Sequence, residues 1–440
     1  MGTSSSKISQ PPLPIINIRL SSPPGTVFRP YSVVTGHIDL TPVAPIAPHA
    51  IEVSLFGQAL IWYRELRYAG NGMGGGTVYY LHYRDNAVLF EATSNLLPAF
   101  DSVPPTLEPG HTYTYPFLLQ FPAVTPNSRR GQYKKDRIGK WEKWETWEDG
   151  PHNLPPSFLH HDKHGASESP NYAKVVYAVC ARLVCPGIGI VQGKNLHDLI
   201  IRNPVSFMPF NTNLYASQDP SSVRPRTFRL RTSALAGQGI GRRQRMRHHL
   251  SLTPKLQFEA SLKLPDRMTS GSEFRFLVSL KVVSKSDKVS HIPAITIKIL
   301  RLDLESATRV RAPLDSQATT GFDGRHWRNK YVSVPSTYAT YSGHERKWID
   351  STSTSLSSVP ESVTLELEEV SGEDQEVTEQ ATSCEAWFTA RVPSGLIQSF
   401  KTFAINRMYV LRARLGIEVG GKKFKYDIGR HSREMWGELA

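Results

Sequence analysis

The chain has 440 residues, 52 of them Lys or Arg against 39 Asp or Glu, for a net charge of +13. That length points to two domains or three, and a hydrophobic fraction of 39% excludes global disorder. Three cysteines, Cys180, Cys185 and Cys384, exclude a disulfide framework and suit a reducing compartment. No run of residues approaches the roughly 18 apolar positions that a spanning helix needs, and no apolar signal region opens the chain. The expectation is a cytoplasmic protein that associates peripherally with the plasma membrane or endosomes without crossing them.

The first residues, MGTSSSK, match M-G-x-x-x-[ST] through Gly2 and Ser6, so Gly2 is a lipidation candidate beside Lys7; the plainer reading is a Ser-rich start, disordered over 1–11. One acyl chain anchors weakly and needs a basic patch as its second signal. QPPLP (10–14) reads either as a ligand for a WW-type groove or as an extended lead-in to the first strand. INIRL follows, then VTGHIDL, where Val34, Gly36, Ile38 and Leu40 share one face and Thr35, His37 and Asp39 the other. IEVSLFGQ repeats the alternation with Ile51, Val53 and Leu55. GNGMGGG (70–76) lacks the Lys and Ser/Thr of a phosphate cradle and reads as a hairpin loop. TYTYPFLLQF aligns Tyr113, Tyr115, Phe117, Leu119 and Phe121.

Strand rhythm then breaks over 127–150. Arg129, Arg130, Lys134 and Lys135 form a basic cluster with Arg137. WEKWETWEDG places Trp141, Trp144 and Trp147 at i, i+3, i+6. A short helix there packs onto a sandwich, or the tryptophans are a partner hot spot. LPPSF (154–158) resembles the PPxY ligand of ubiquitin-ligase WW domains, with Phe158 in place of tyrosine. HHDKH brings His160, His161 and His164 close, in a polar loop without a cysteine and short of a rigid zinc set. AKVVYAVCARL aligns Val175, Tyr177, Val179, Ala181 and Leu183. Cys180 and Cys185 are five apart, hence on opposite faces of a regular strand, and read as small buried hydrophobes.

Residues 208–250 read as a basic linker with room for one strand, FRLRT. Within it GRRQRMRHH carries Arg242, Arg243, Arg245 and Arg247, candidates for binding an anionic partner or lipid. A nuclear-localisation patch and a plain solvated linker are the other readings. No aromatic residue interleaves the run and no nucleic-acid fold motif accompanies it, so nucleic acid ranks low among partners. The second half alternates again in LQFEASLKL, EFRFLVSLKVV, PAITIKILRLDL, CEAWFTARV and MYVLRARLGIEV. Gly420-Gly421 then signals a hairpin into KKFKYDI. The stretch 311–360 is polar and Ser/Thr-rich.

FRPYSVVTGHIDL followed by HAIEVSLFG matches GSEFRFLVSLKVV followed by IPAITIKIL, a coarse internal repeat. The fold class expected is all-β: two tandem antiparallel immunoglobulin-like sandwiches over 12–207 and 251–430, with a tail over 431–440. The order of motifs resembles the fungal alpha-arrestin-like family. It is carried by Tyr31 to Gly36 before HIDL, by Ile51, Val53, Leu55 and Gly57, by PFLLQFP, and by LPPSF ahead of Tyr177, Val179, Ala181 and Leu183. In the second half it rests on Pro393, Ser399, Phe400, Thr402, Tyr409 and Leu411.

The resemblance implies a non-enzymatic adaptor or scaffold. It would bind cytosolic tails of transporters or receptors and regulate their endocytosis, ubiquitination or signalling. The chain has no PPxY, so a WW-domain ubiquitin ligase would be recruited only indirectly. The alternative is a lipid-anchored scaffold on an anionic membrane surface without cargo. No G-x-S-x-G, HExxH or kinase set is present, so no catalytic residue, metal site or cofactor is assigned. In the arrestin pattern LPPSF is a proline-set strand entry, PSGLIQSF its counterpart, and Phe158 a core residue.

Overall fold

Alternating sequence becomes paired strand wherever the chain is described. The computed structural model describes residues 12–71, 75–97, 105–126, 150–161, 172–192, 195–209, 220–231, 254–287, 289, 295–313, 338–340, 351–355, 358–359, 362–365, 383–419 and 422–436. Among the described residues every helix or strand assigned is a strand. The chain divides into two units. Unit 1 takes in Met1–Phe210, Arg309–Trp348 and Phe400–Asn406; unit 2 takes in Asn211–Thr308, Ile349–Ser399 and Arg407–Ala440.

Unit 1 is built from β1 (Ile15–Leu20), β2 (Val27–Phe28), β3 (Val33–Thr41), β4 (Ala50–Asn71), β5 (Gly75–Asn95), β6 (Tyr113–Gln120), β7 (Phe158–His161), β8 (Tyr172–Val184), β9 (Ile190–Gln192), β10 (Asn195–His197) and β11 (Leu199–Phe207). One sheet has the order β1-β3-β6 and the other β2-β11-β8-β4-β5, with β7 also on β8 and β9 pairing β10 apart. The inward faces are those the alternation marks: Val34, Ile38 and Leu40 of one sheet and Ile51, Val53, Leu55 and Val179 of the other are all buried. Between the sheets Phe121 stacks on Phe207 at 4.8 Å and meets Tyr177 edge-on at 5.7 Å, each ring fully buried. A buried side chain of this size contributes about 2–3 kcal/mol, so the aromatic group is the principal seam of unit 1. The glycine-rich 70–76 stretch joins β4 to β5, paired out to Asn71 and Gly75 as the hairpin reading expects.

Unit 2 holds β12 (Pro220–Arg231), β13 (Lys255–Pro265), β14 (Arg267–Thr269), β15 (Glu273–Lys285), most of β16 (Ile295–Pro313), β18 (Ser351–Ser355), β19 (Ser358–Val359), β20 (Ser362–Leu365), β21 (Ser383–Arg391), most of β23 (Ile405–Val419) and β24 (Lys422–Trp436). The short strands β17 (Tyr338–Thr340) and β22 (Phe400–Lys401) fall in unit 1. One sheet runs β12-β13-β15-β21-β19 and the other β14-β24-β23-β16-β17, with β18 and β20 on β16 and β22 on β23. Phe258, Phe276, Phe388, Leu411, Leu415 and Ile417 lie at the centre of the unit 2 core. The Gly420-Gly421 hairpin is realised, with Val419 opposite Lys422. Phe228–Arg231 of FRLRT lie within β12, which pairs with β13 and belongs to unit 2. The polar 311–360 stretch supplies β17, β18 and β19.

The internal repeat is a repeat of topology. In unit 1, β3 lies between β1 and β6, and β2 runs parallel beside β11 in the order β2-β11-β8-β4. In unit 2, β15 lies between β13 and β21, and β14 runs parallel beside β24 in the order β14-β24-β23-β16. The matched segments of the sequence repeat are β3 with β15 and β4 with β16.

Candidate interaction surfaces

LPPSF is part of the core of unit 1. Phe158 is 4% exposed and meets the ring of Phe400 edge-on at 5.2 Å. Tyr177 donates its phenolic O–H to the Pro155 carbonyl at 2.6 Å. Ser157 donates its N–H to the Phe207 carbonyl at 2.8 Å and accepts the Phe207 N–H on Oγ at 2.9 Å. The prolines withhold donors where the chain enters the sheet, and the tyrosine satisfies a carbonyl that would otherwise be buried unpaired. Burial holds the Tyr177 phenol well above the ordinary tyrosine range. Gly57 makes room for that ring: a Cβ there would stand 2.6 Å from Tyr177 and 2.9 Å from Phe90. In unit 2, Tyr409 donates to the Ile397 carbonyl at 2.6 Å, three residues before Phe400 just as Pro155 is three before Phe158. The expected counterpart of LPPSF therefore carries the same latch without its prolines.

The edges of the β1-β3-β6 sheet define the first candidate surface. Ser21 donates its N–H to Thr35, so odd positions of β1 bond to β3 and even positions direct their N–H and C=O to the outer edge. The Ile18 carbonyl accepts a bond from the Asn203 side chain at 3.3 Å. Among the described residues no strand pairs with this outer edge. The equivalent edge of β13 in unit 2 is paired with β12 from Pro220 to Arg231. On the outer face of the same sheet, Arg19 holds Asp39 at 3.0 Å, with Thr114 donating to its other oxygen at 2.9 Å. Asp39 is thereby buried, although its place in the alternation is outward.

The outer face of the second sheet has two chemically distinct ends. At one end Arg182 bonds Glu52 at 3.2 Å and Asp198 at 2.6 Å. Arg202 lies over the Phe56 ring at 5.4 Å. Cys180 sits half-buried there; burial pushes its thiol up, Arg202 and Ser54 oppose the shift, and Glu91 adds to it. Cys185 is buried in the turn that follows, and both thiols are free. A register shift between Gly57 and Gln58 marks the passage to the other end. There Trp62 is covered by the Arg84 guanidinium at 4.0 Å, donates its N–H to His82 Nδ1 at 3.3 Å, and meets Tyr172 edge-on at 6.2 Å. Lys174 lies 5.1 Å from the Tyr172 ring, and Leu159 beside it is 66% exposed.

No protein-family model matches the chain, and no curated protein matches it.

The residues singled out from sequence as binding candidates lie elsewhere. Arg242, Arg243, Arg245 and Arg247, the cluster Arg129, Arg130, Lys134 and Lys135, the lipidation candidate Gly2, and Trp141, Trp144 and Trp147 are all outside the described residues. So is His164, while His160 is buried on β7 opposite Ala173. Among the described residues no cluster of His, Cys, Asp or Glu suits a metal. No described helix is long and apolar enough to cross a membrane. Sequence reasoning missed the Trp62 end. Half of it was available, because counting outward from the glycine turn pairs Trp62 with Arg84. Tyr172 and Lys174 join through the distant pairing of β8, which no local pattern signals.

Proposed function

We propose that the chain is an arrestin-like adaptor that captures acidic cytosolic tails of membrane proteins by adding them as a strand to β1. The outer edge of β1, which pairs with no strand among the described residues, carries this reading, since unit 2 fills the equivalent edge with β12. Strand addition draws affinity from main-chain hydrogen bonds, and the even positions Ile16, Ile18 and Leu20 supply them. Asn203 holds one of these groups in the meantime and yields it to the incoming strand. A net charge of +13 steers an acidic tail toward the protein and makes capture salt-dependent. Regulation of the endocytosis, ubiquitination or signalling of the bound membrane protein follows as the role of such an adaptor.

Fluorescence polarisation of acidic tail peptides, with and without phosphorylation, tests the reading. Ile16→Pro removes an outward N–H, at a place where an edge strand tolerates proline. Binding should weaken about tenfold or more while folding is kept. Unchanged affinity in this variant, or no binding to any acidic tail at low salt, contradicts the proposal.

A further inference from the structure

The outer face of the β2-β11-β8-β4-β5 sheet is divided along its length by charge. Every described acid on it stands at the Arg182 end: Glu52, Glu91 and the neighbouring Asp198. Past the register shift, the outward positions are Gln58, Leu60 and Trp62 on β4, Val88, Asn86 and Arg84 on β5, and Val176, Lys174 and Tyr172 on β8. None of them is acidic. The acid closest along the strand, Asp85, pairs with buried Ile61 and so belongs to the opposite face. Leu159 on β7 and Val88 on β5 add exposed apolar area on either side.

The β4–β5 pair continues past the end of β8. β8 pairs with β4 only as far as Trp62, opposite Tyr172. From Tyr63 to Asn71, β4 pairs only with β5 among the described residues. This two-stranded ribbon reaches about 30 Å at the ordinary strand rise. The two strands stay paired out to Asn71 opposite Gly75. Among the described side chains the combination of Arg84, Lys174, Trp62, Tyr172 and Leu159 is cationic, aromatic and aliphatic without an acid. A two-stranded ribbon is marginal on its own and gains from a surface to lie on.

We propose that this acid-free end of the face, continued by the β4–β5 ribbon, docks onto an anionic lipid bilayer. Arg84 and Lys174 would meet the negative headgroups, and Trp62, Tyr172 and Leu159 the boundary between headgroups and acyl chains. Charge complementarity selects a negative surface, and the exposed Leu159 and Val88 with the aromatic Trp62 and Tyr172 select a bilayer over the acidic strand proposed for β1. The two sites are independent: tail capture at β1 is measured in solution without lipid.

Co-sedimentation of the full chain with phosphatidylcholine vesicles, with and without phosphatidylserine, tests the assignment. Binding should require phosphatidylserine. The double variant Arg84→Gln, Lys174→Gln should bind roughly thirtyfold more weakly, from about fivefold per lost charge. Leu159→Asp should also weaken binding, and Arg182→Gln, at the acid-bearing end, should leave it unchanged. Circular dichroism confirms that each variant is folded. The proposal is overturned if the double variant binds vesicles as the parent does, or if Arg182→Gln weakens binding equally. It is also overturned if vesicles are not bound while polyglutamate is, in a manner lost in the double variant. That last result would assign the face to an acidic polypeptide instead.

Discussion

Units 1 and 2 share a strand order but not a pair of edges. In both, a short strand runs parallel beside the last strand of one sheet, and a tyrosine reaches back to the carbonyl three residues before a phenylalanine. In unit 2 the outer edge of β13 is taken by β12, whereas the outer edge of β1 meets only the Asn203 side chain among the described partners. Among the described residues unit 2 thus carries one strand more than the matching arrangement in unit 1.

The largest expected effect concerns the seating of β1. A Cβ on Gly36 would collide with the Arg19 backbone carbonyl and stand 2.8 Å from the Phe117 ring. Gly36→Ala should therefore destabilise the protein by about 3 kcal/mol, measured by urea unfolding, and should abolish any function that needs β1 in register. A neutral effect would mean that β1 is not held as described. Next come the paired latches. Tyr177→Phe and Tyr409→Phe should each cost about 1–3 kcal/mol by leaving a buried carbonyl unpaired. Similar losses would sharpen the equivalence of the two units, and a loss confined to one would break it.

The buried Tyr177 phenol also sets a pH dependence. Its folded pKa is raised by burial, so the unfolded chain loses this proton first. Its contribution is complete below the ordinary tyrosine value of about 10 and is lost as pH rises beyond it. The parent should accordingly lose stability on the alkaline side of that value more steeply than Tyr177→Phe. Smallest of all, Glu52→Gln should change stability by less than about 1 kcal/mol, because the Arg182 cluster is solvent-exposed. It should leave vesicle binding as it was.

Much of the fold was legible because period-two alternation names the buried face directly. Val34, Ile38 and Leu40, like Val175, Tyr177 and Val179, lie inward as their spacing demands. LPPSF was legible as core through its place in the order of motifs that carries the family resemblance, ahead of Tyr177, Val179, Ala181 and Leu183. Asp39 was not, since the alternation places it outward and it is the Arg19, Thr114 and His37 partners that cover it. The open edge of β1 was illegible for a different reason: an edge is defined by the strand that fails to pair there, and pairing between distant segments leaves no local mark. The charge division of the outer face has the same origin, since Tyr172 and Trp62 are brought together only by β8.

Hydrogen–deuterium exchange during titration with a binding acidic tail tests strand addition at β1 most directly. The account predicts slower exchange at the outward amides of Ile16, Ile18 and Leu20, and no change along Lys255–Pro265, whose edge β12 already occupies. Unchanged exchange in β1 at saturating tail, or protection confined to unit 2, would contradict it.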